Sequence, residues 1–331
     1  VLTDVQDERV VRSFDLNCKM LLTTRHMEKL ESAITIEKRQ IIEINKGLTE
    51  YESSELFVKA FRKEDNAIEL PPMMTSFVEN AHKICSGHPF IMSLVAKSFQ
   101  HKESDDKRQL RCKNWKKQLE KYEFQDEFLK IKMPIEESLK FLTEKQLKCY
   151  RQMVIFSDNI DVPNEVLSKL WNLSTTETEN MIEKLHKYSL IEKQMNYESC
   201  SLHYVHYKYL KDEVSETDQI NFHQHLIDEY DVKKIFENRT ELELDFPNDN
   251  YFHFFIGCHL HGAKHPDLFD LYLDFGFLEE KIRIAKLPNT LGDLIKFKKE
   301  IVRNDPKRAQ LLDVLLEFLP PIEQLVFKSK D

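Results

Sequence analysis

The chain has 331 residues, a formal net charge of −9 and only six glycines. A negative charge of this size gives no support to a nucleic-acid-binding protein, and no apolar run approaches the roughly 20 residues needed to cross a bilayer. Because tight β-turns use glycine heavily, the composition favours a mostly helical protein, and the length suggests two or more domains.

The N-terminal 46 residues alternate between short apolar runs and polar connections. Strands are predicted at 1–5, 19–24 and 40–44, with a short helical crossover at 7–14. Strands that alternate with helices indicate a parallel α/β arrangement. Since three such strands need neighbours to cover their apolar surface, we expect residues 1–46 to be the C-terminal part of a larger sheet domain.

Residues 47–125 show helical periodicity that is interrupted by a short corner in "CSGHPF". Ser76 and Glu79 are spaced as a capping box and predict the start of the helix before the corner. Gly87 is expected to end that helix in the left-handed conformation. Pro89 is expected to begin the next helix, where its missing N–H costs nothing. The pattern predicts a tight helix–Gly-x-Pro–helix corner.

Residues 126–214 are expected to form three helices and then a two-stranded hairpin around "NYES". Thr143 with Gln146, and Ser174 with Glu177, are capping-box pairs that predict the starts of the first and third of these helices. Three helices followed by a β-hairpin is the order of a winged helix. The third helix is acidic, whereas DNA-reading helices are usually basic, so we expect this domain to pack on protein and to have no nucleic-acid partner.

Residues 215–331 are predicted to form five or six further helices, with loops at 248–250 and 288–289. Successive short helices are consistent with a second helical domain, built as a small solenoid or bundle. The stretch "GCHLHGAKH" lies within a predicted helix and lacks the Ser or Thr of a phosphate-binding loop, so we do not interpret it as one.

Cysteine and histidine patterns give no sign of a metal centre. The six cysteines are widely spaced without a C-x-x-C pair, which predicts reduced, mostly buried thiols and a cytoplasmic protein. Histidines 253, 259, 261 and 265 lie close together in sequence but lack the H-E-x-x-H pattern of a helical zinc site.

Two polar residues at the ends of the predicted strands suggest a nucleotide site. Asp4 follows a buried apolar strand, which is where a Mg²⁺–nucleotide site places a carboxylate. Arg25 follows the next strand, and its guanidinium could donate two hydrogen bonds to a terminal phosphate. Together and in this order, the two residues are typical of a domain that binds a nucleoside triphosphate.

Four segments in a fixed order carry a resemblance to a known family. "VLTDV…LLTTR", "CSGHPF" and "SLHYVHYKYL" resemble the NB-ARC nucleotide switches of the STAND class, and "FHFFIGCHLHGAKHPDLF" is similar to the second helical domain of their apoptosome-adaptor branch. The resemblance implies four domains. They are the C-terminal part of the NB-ARC nucleotide-binding domain (1–46), helical domain 1 (47–125), the winged helix (126–214) and helical domain 2 (215–331).

The same resemblance implies roles for four residues. Asp4 would lie near Mg²⁺, Arg25 would contact the γ-phosphate, Pro89 would pack on adenine and His203 would contact the β-phosphate of ADP. The implied cofactors are ATP, dATP or ADP with Mg²⁺. No catalytic residue is implied, and the full-length protein would be at most a slow ATPase switch.

Three departures from the family pattern limit what the resemblance implies. Thr3 stands where the first of two adjacent acidic residues is usual, and this weakens the case for efficient hydrolysis. Tyr204 replaces the aspartate of the family's L-H-D segment. The phosphate loop and a caspase-recruitment domain would be expected upstream of Val1, and a WD-repeat propeller downstream, so we expect residues 1–331 alone to bind nucleotide poorly.

The function that the resemblance implies is that of an apoptosome-type adaptor. Such a protein forms a ring-like oligomer, activates a caspase in programmed cell death and can respond to an activating protein ligand. Two alternatives remain open at this point. One is a winged-helix STAND regulator of another pathway, immune or transcriptional, and the other is a helical scaffold that no longer depends on nucleotide.

Overall fold

A computed structural model gives the architecture of the chain. It describes residues 2–3, 22–23, 47–61, 72–99, 110, 112–114, 117, 127–158, 160–194, 198–237, 246–247 and 249–327. The chain divides into two compact units, Val1–Gly47 and Leu48–Asp331.

The first unit contains a parallel strand pair. Strand β1 is Leu2–Thr3 and strand β2 is Leu22–Thr23, with Leu2 opposite Leu22 and Thr3 opposite Thr23. This pairing confirms the parallel arrangement predicted for the first two strands. The third predicted strand, at 40–44, lies outside the described residues.

The second unit begins with helices packed around an aromatic core. These helices are α1 (Glu50–Phe61), α2 (Pro72–Cys85), α3 (Pro89–Ser98) and α4 (Glu127–Leu139). The rings of Phe57, Phe77 and Phe99 form edge-to-face contacts in this core, and all three are almost fully buried. The helix start predicted at Ser76 is wrong, since α2 begins one turn earlier at Pro72, where a proline fits the first helical position.

The winged helix follows, with its sheet and helices in the predicted order. Its elements are α5 (Glu144–Gln152), a 3₁₀ turn (Met153–Ile155), β3 (Val162–Pro163), α6 (Asn164–Trp171), α7 (Thr175–Lys187), β4 (Glu192–Lys193) and β5 (Ser199–Ser201). Both predicted capping boxes, at Thr143 and at Ser174, are formed. The antiparallel sheet has the order β3-β5-β4, so it has one strand more than the predicted hairpin.

The extra strand contains a proline. Val162 pairs with Cys200, and Pro163 pairs with Ser199. Pro163 is then the residue before α6. A proline is tolerated here because β3 lies at the edge of the sheet, where a missing N–H need not break the ladder.

The C-terminal part is helical, as predicted. It comprises α8 (Tyr204–Glu213), α9 (Glu216–Glu229), α10 (Val232–Glu237), α11 (Tyr251–Gly262), a 3₁₀ helix (Pro266–Leu273), α12 (Phe275–Lys296), α13 (Lys298–Val302) and α14 (Pro306–Phe327). One hydrophobic core runs from Leu94 in α3 and Ile135 in α4 through the winged helix to Leu315 in α14, so these segments pack as a continuous body. Across the described ranges, none of the helices combines the length and apolar character that a membrane span requires.

Helix α12 contains a kink where a loop was predicted. The loop expected at 288–289 is instead a break at Lys286, whose φ of 69° and ψ of 158° lie outside the helical region. Pro288 has no N–H to donate to the preceding turn, so the helix breaks just ahead of it and then resumes. Helix α11 includes "GCHLHG", which confirms that this stretch is not a phosphate loop.

Candidate functional site

The corner between α2 and α3 is built on a glycine that no other residue can replace without strain. Gly87 has a φ of +65° and follows Ser86, whose φ is also positive. Its carbonyl oxygen accepts a hydrogen bond of 2.8 Å from the backbone N–H of Leu48. A Cβ at Gly87 would lie 2.2 Å from the Leu48 carbonyl oxygen, so both the conformation and the space require glycine.

Replacing Gly87 by alanine is therefore expected to lower the free energy of unfolding by roughly 1–3 kcal/mol, because of left-handed strain and the contact with the Leu48 backbone. Chemical denaturation would measure the loss. Gly292→Ala is the matched control, since it lies in a helix and a Cβ there meets nothing within 4 Å. An equal effect of the two substitutions would contradict this account of the corner.

Helix α3 begins at the corner with an exposed proline. Pro89 occupies the first helical position, as predicted, and His88 before it makes no side-chain capping hydrogen bond. The backbone N–H groups in the first turn of a helix have no partner within the helix, and the helix dipole makes this end electropositive. An exposed proline next to such an end offers a flat apolar surface beside a place that favours an anion.

His203 caps a second helix of the site. Its Nδ1 accepts a hydrogen bond of 3.2 Å from the backbone N–H of Val205, and this closes the N-terminus of α8. Since Nδ1 is the acceptor, the neutral ring carries its hydrogen on Nε2. The side chain is half-buried. His203 therefore presents a donor nitrogen at the start of a helix, which is a suitable arrangement for an anionic oxygen.

The two helix starts come together through a pair of rings. The Phe90 ring, next to Pro89, stacks on the His203 imidazole with centroids 3.8 Å apart and planes 4° from parallel. The contact brings the N-termini of α3 and α8 side by side, although they lie far apart in sequence. Two neighbouring helix N-termini and an imidazole N–H can together stabilise a phosphate group.

Behind this ring pair lies a buried polar contact. The hydroxyl of Tyr150 and Nδ1 of His206 are joined by a hydrogen bond of 2.7 Å, and the Phe90 ring meets His206 edge-on at 5.6 Å. Burial, with a smaller effect from His203, lowers the pKa of His206 to about 3. His206 is therefore neutral near pH 7 and supports the site by packing and hydrogen bonding.

Two of the four residues predicted for the site belong to the N-terminal segment. Asp4 and Arg25 lie outside the described residues, although each follows one of the two paired strands in sequence. The structure thus brings together Pro89 and His203 of the four predicted residues. Sequence reasoning missed Phe90 and His206, and the only signal for the second was its spacing of three residues from His203 in "SLHYVHYKYL".

His259 of α11 belongs to a buried hydrogen-bonded group in the core. A hydrogen bond of 2.9 Å joins Nε2 of His259 and the Tyr251 hydroxyl, and one of 3.0 Å joins Nδ1 of His259 and Nδ1 of His223. All three side chains are buried. His261 is exposed, and its Nδ1 lies 2.8 Å from a carboxylate oxygen of Glu300. In the portion of the chain that the structure describes, no three His, Cys, Asp or Glu side chains are placed to share a metal ion.

Comparisons with known proteins match the same segments. The family model for the Dark winged-helix domain matches residues 147–206, and the model for the APAF-1 helical domain matches residues 220–330. Apoptotic protease-activating factor 1 of Danio rerio is 27% identical over 304 residues, covering 90% of this chain and 23% of the relative. The proteins of that name from Mus musculus and Homo sapiens are 25% and 24% identical over 328 residues, covering 96% of this chain. The chain spans about a quarter of the length of these relatives.

Proposed function

Because the chain is Apaf-1-like in its winged-helix and C-terminal helical segments, we propose that it belongs to an adenine-nucleotide-dependent switch of the apoptosome-adaptor type. The bound nucleotide would select between a closed monomer and an open form that joins a ring-like oligomer and activates a caspase in the cytoplasm. The observation that carries the proposal is the junction of Pro89, Phe90 and His203 at two helix N-termini.

The residues at this junction fit a nucleoside diphosphate. The helix starts and the Nε2–H of His203 supply positive potential and a donor for a phosphate oxygen, and the exposed Pro89 supplies an apolar surface for a base. In the same proposal Asp4 lies near Mg²⁺ and Arg25 contacts the γ-phosphate of ATP or dATP. The domain bounds we propose are 1–46, 47–125, 126–214 and 215–331.

Such a switch requires that the two nucleotides prefer different states. A ligand shifts a two-state equilibrium only by its differential affinity for the two states. A contact from His203 to ADP would stabilise the closed form, since it ties the winged helix to the nucleotide. A contact from Arg25 that exists only with a γ-phosphate would provide the opposite preference.

Replacing His203 by alanine in the full-length protein is expected to speed ADP release by roughly 10- to 100-fold and to favour assembly, because a hydrogen bond to a charged phosphate is lost. Release of a fluorescent ADP analogue and light scattering after chromatography would measure the two effects. His203→Asn separates the roles, since asparagine caps a helix well but lacks the imidazole.

His225→Ala, which removes a half-buried histidine from α9, is the control for this experiment. If His203→Ala retains the wild-type rate of ADP release and stays monomeric under the same conditions, the proposed role of His203 is wrong. If His203→Asn behaves like wild type while His203→Ala does not, the histidine matters only as a helix cap.

A second candidate function rests on Thr3 and Tyr204. Thr3 stands in place of a usual acidic residue, and Tyr204, exposed at the first position of α8, replaces the aspartate that follows the histidine in the family pattern. A scaffold that assembles without regard to nucleotide would account for both substitutions. Assembly of the full-length protein at the same rate with ADP, with ATP and without nucleotide would favour the scaffold.

A further inference from the structure

Phe90 is the ring on which His203 is stacked. Its side chain is half-buried, and the next two residues of α3, Ile91 and Met92, are buried in the core, so the ring projects from a well-anchored turn. Besides the parallel stack on His203, it makes an edge contact with His206, whose ring is hydrogen-bonded to Tyr150. The ring therefore contacts two imidazoles at the start of α8, one half-buried and one buried.

Two of the contacts that His203 makes restrain its imidazole ring. The hydrogen bond from Val205 N–H to Nδ1 fixes which ring edge faces α8, and the stack on Phe90 fixes the plane of the ring. A histidine side chain has two rotatable bonds, and together these contacts restrain both. The direction of Nε2 is then set before any ligand binds, which reduces the entropy lost on binding.

We propose that Phe90 is a positioning residue that holds His203 in its ligand-ready orientation and links the α2–α3 corner directly to the winged helix. The positioning part rests on the proposed function, since it assumes that His203 contacts the nucleotide. The direct link exists without a ligand, so the closed arrangement is held by the ring pair as well as by ADP. Loss of the Phe90 ring should therefore free the imidazole first and weaken ADP binding as a consequence.

Two measurements on the full-length protein test the proposal. The first is the rate at which diethyl pyrocarbonate modifies His203 in nucleotide-free protein, read by mass spectrometry. The second is the rate of ADP release. Phe90→Leu removes the aromatic ring at similar size, Phe90→Tyr keeps it, and modification of His225 on α9 reports any general loss of structure.

We expect Phe90→Leu to raise the modification rate of His203 and to speed ADP release by about 2- to 10-fold, with Phe90→Tyr close to wild type in both and His225 unchanged. Unchanged modification of His203 in Phe90→Leu would overturn the proposal. If His225 also becomes more reactive in Phe90→Leu, Phe90→Met replaces this variant, since methionine also lacks a ring and has a similar volume. The same expected and contradicting results then apply to Phe90→Met.

The rate of ADP release distinguishes a failure of this proposal from a failure of the proposed function. If His203→Ala speeds ADP release and Phe90→Leu does not, Phe90 does not position His203, and the role of His203 stands. If neither variant changes ADP release, the positioning role and the proposed function are both overturned. A faster release in both variants, rescued by tyrosine at position 90, supports both.

Discussion

Replacing Lys281 by methionine should lower the free energy of unfolding by about 3–5 kcal/mol, as expected when one partner of a buried ion pair is removed. The Lys281 side chain is fully buried, and its ammonium lies 2.9 Å from an Asp293 carboxylate oxygen. It also donates to the Asn289 side chain at 3.0 Å and to the His253 carbonyl oxygen. Without the lysine, the Asp293 carboxylate would lose its ion pair and keep the hydrogen bond of 2.7 Å from Tyr272.

The position of this ion pair explains why the effect should be large. Lys281 precedes the kink at Lys286, whereas Asn289 and Asp293 follow it, so the ammonium holds the two halves of α12 together. Burial lowers the pKa of Lys281, and the nearby Asp293 opposes that shift. The Asp293 carboxylate thus compensates for part of the hydration that the ammonium loses.

Urea denaturation of three variants would test this prediction. Lys298→Met removes a surface lysine whose ammonium lies 3.2 Å from Asp313, and it should cost less than about 1 kcal/mol because both groups are largely exposed. The double variant Lys281→Met/Asp293→Leu should recover part of the loss, since no buried charge is left unpaired. Similar small losses for Lys281→Met and Lys298→Met would show that the buried pair does not hold the kink.

The second large effect is a loss of stability in mild acid. Burial lowers the pKa of His206 to about 3 and of His223 to about 4, and it lowers the pKa of His259 well below its usual value. In the unfolded chain these groups titrate near pH 6.5. The unfolded state therefore binds protons that the folded state does not, and stability is lost as the pH falls below about 6.5 toward the folded pKa values.

The size of the acid effect follows from the number of protons involved. Each histidine with a depressed pKa should cost about 2 kcal/mol between pH 6.5 and pH 5. Burial also lowers the pKa of His253 to about 4, so four such groups together would remove roughly 6–8 kcal/mol, a large part of the stability of an ordinary domain. Denaturation midpoints measured across this pH range should fall steeply, and the range lies above the usual titration of the carboxylates.

A variant of the buried pair His223 and His259 measures the contribution of one histidine. The slope of the unfolding free energy against pH reports how many more protons the unfolded state binds, and His223→Gln should reduce that number by up to one, whatever its effect on stability at pH 7. Asn221→Ala, which changes an exposed residue of the same helix without a titrating group, should leave the slope unchanged. A wild-type stability that is flat between pH 7 and pH 5 would contradict the assignment of these histidines as neutral in the folded chain.

Local features of the fold could be predicted well from the sequence. The capping boxes at Thr143 and Ser174, and the Gly87–Pro89 corner, all depend on residues within a few positions of one another. The predicted start of α2 at Ser76 is wrong because an equally good local signal, a proline at position 72, lies one turn earlier. Local patterns therefore predict the presence of a helix more reliably than its first residue.

The candidate site could be predicted only in part. Pro89 and His203 were found by their place in family-like segments, and they do lie at neighbouring helix starts. Phe90 was missed because a phenylalanine after a proline looks like any core residue until its partner is known. The roles predicted for Asp4 and Arg25 stay predictions, since both residues lie outside the described part of the chain.

By itself the sequence determined the order of the elements, the mostly helical class and the winged helix, because helix caps, turn residues and hydrophobic periodicity act over short distances along the chain. Only the tertiary structure decided which polar side chains meet. The stack of Phe90 on His203 joins α3 to the start of α8, and the ion pair of Lys281 with Asp293 joins the two halves of α12. Such contacts are selected by packing and by the cost of burying unpaired polar groups, and neither leaves a periodic trace in the sequence.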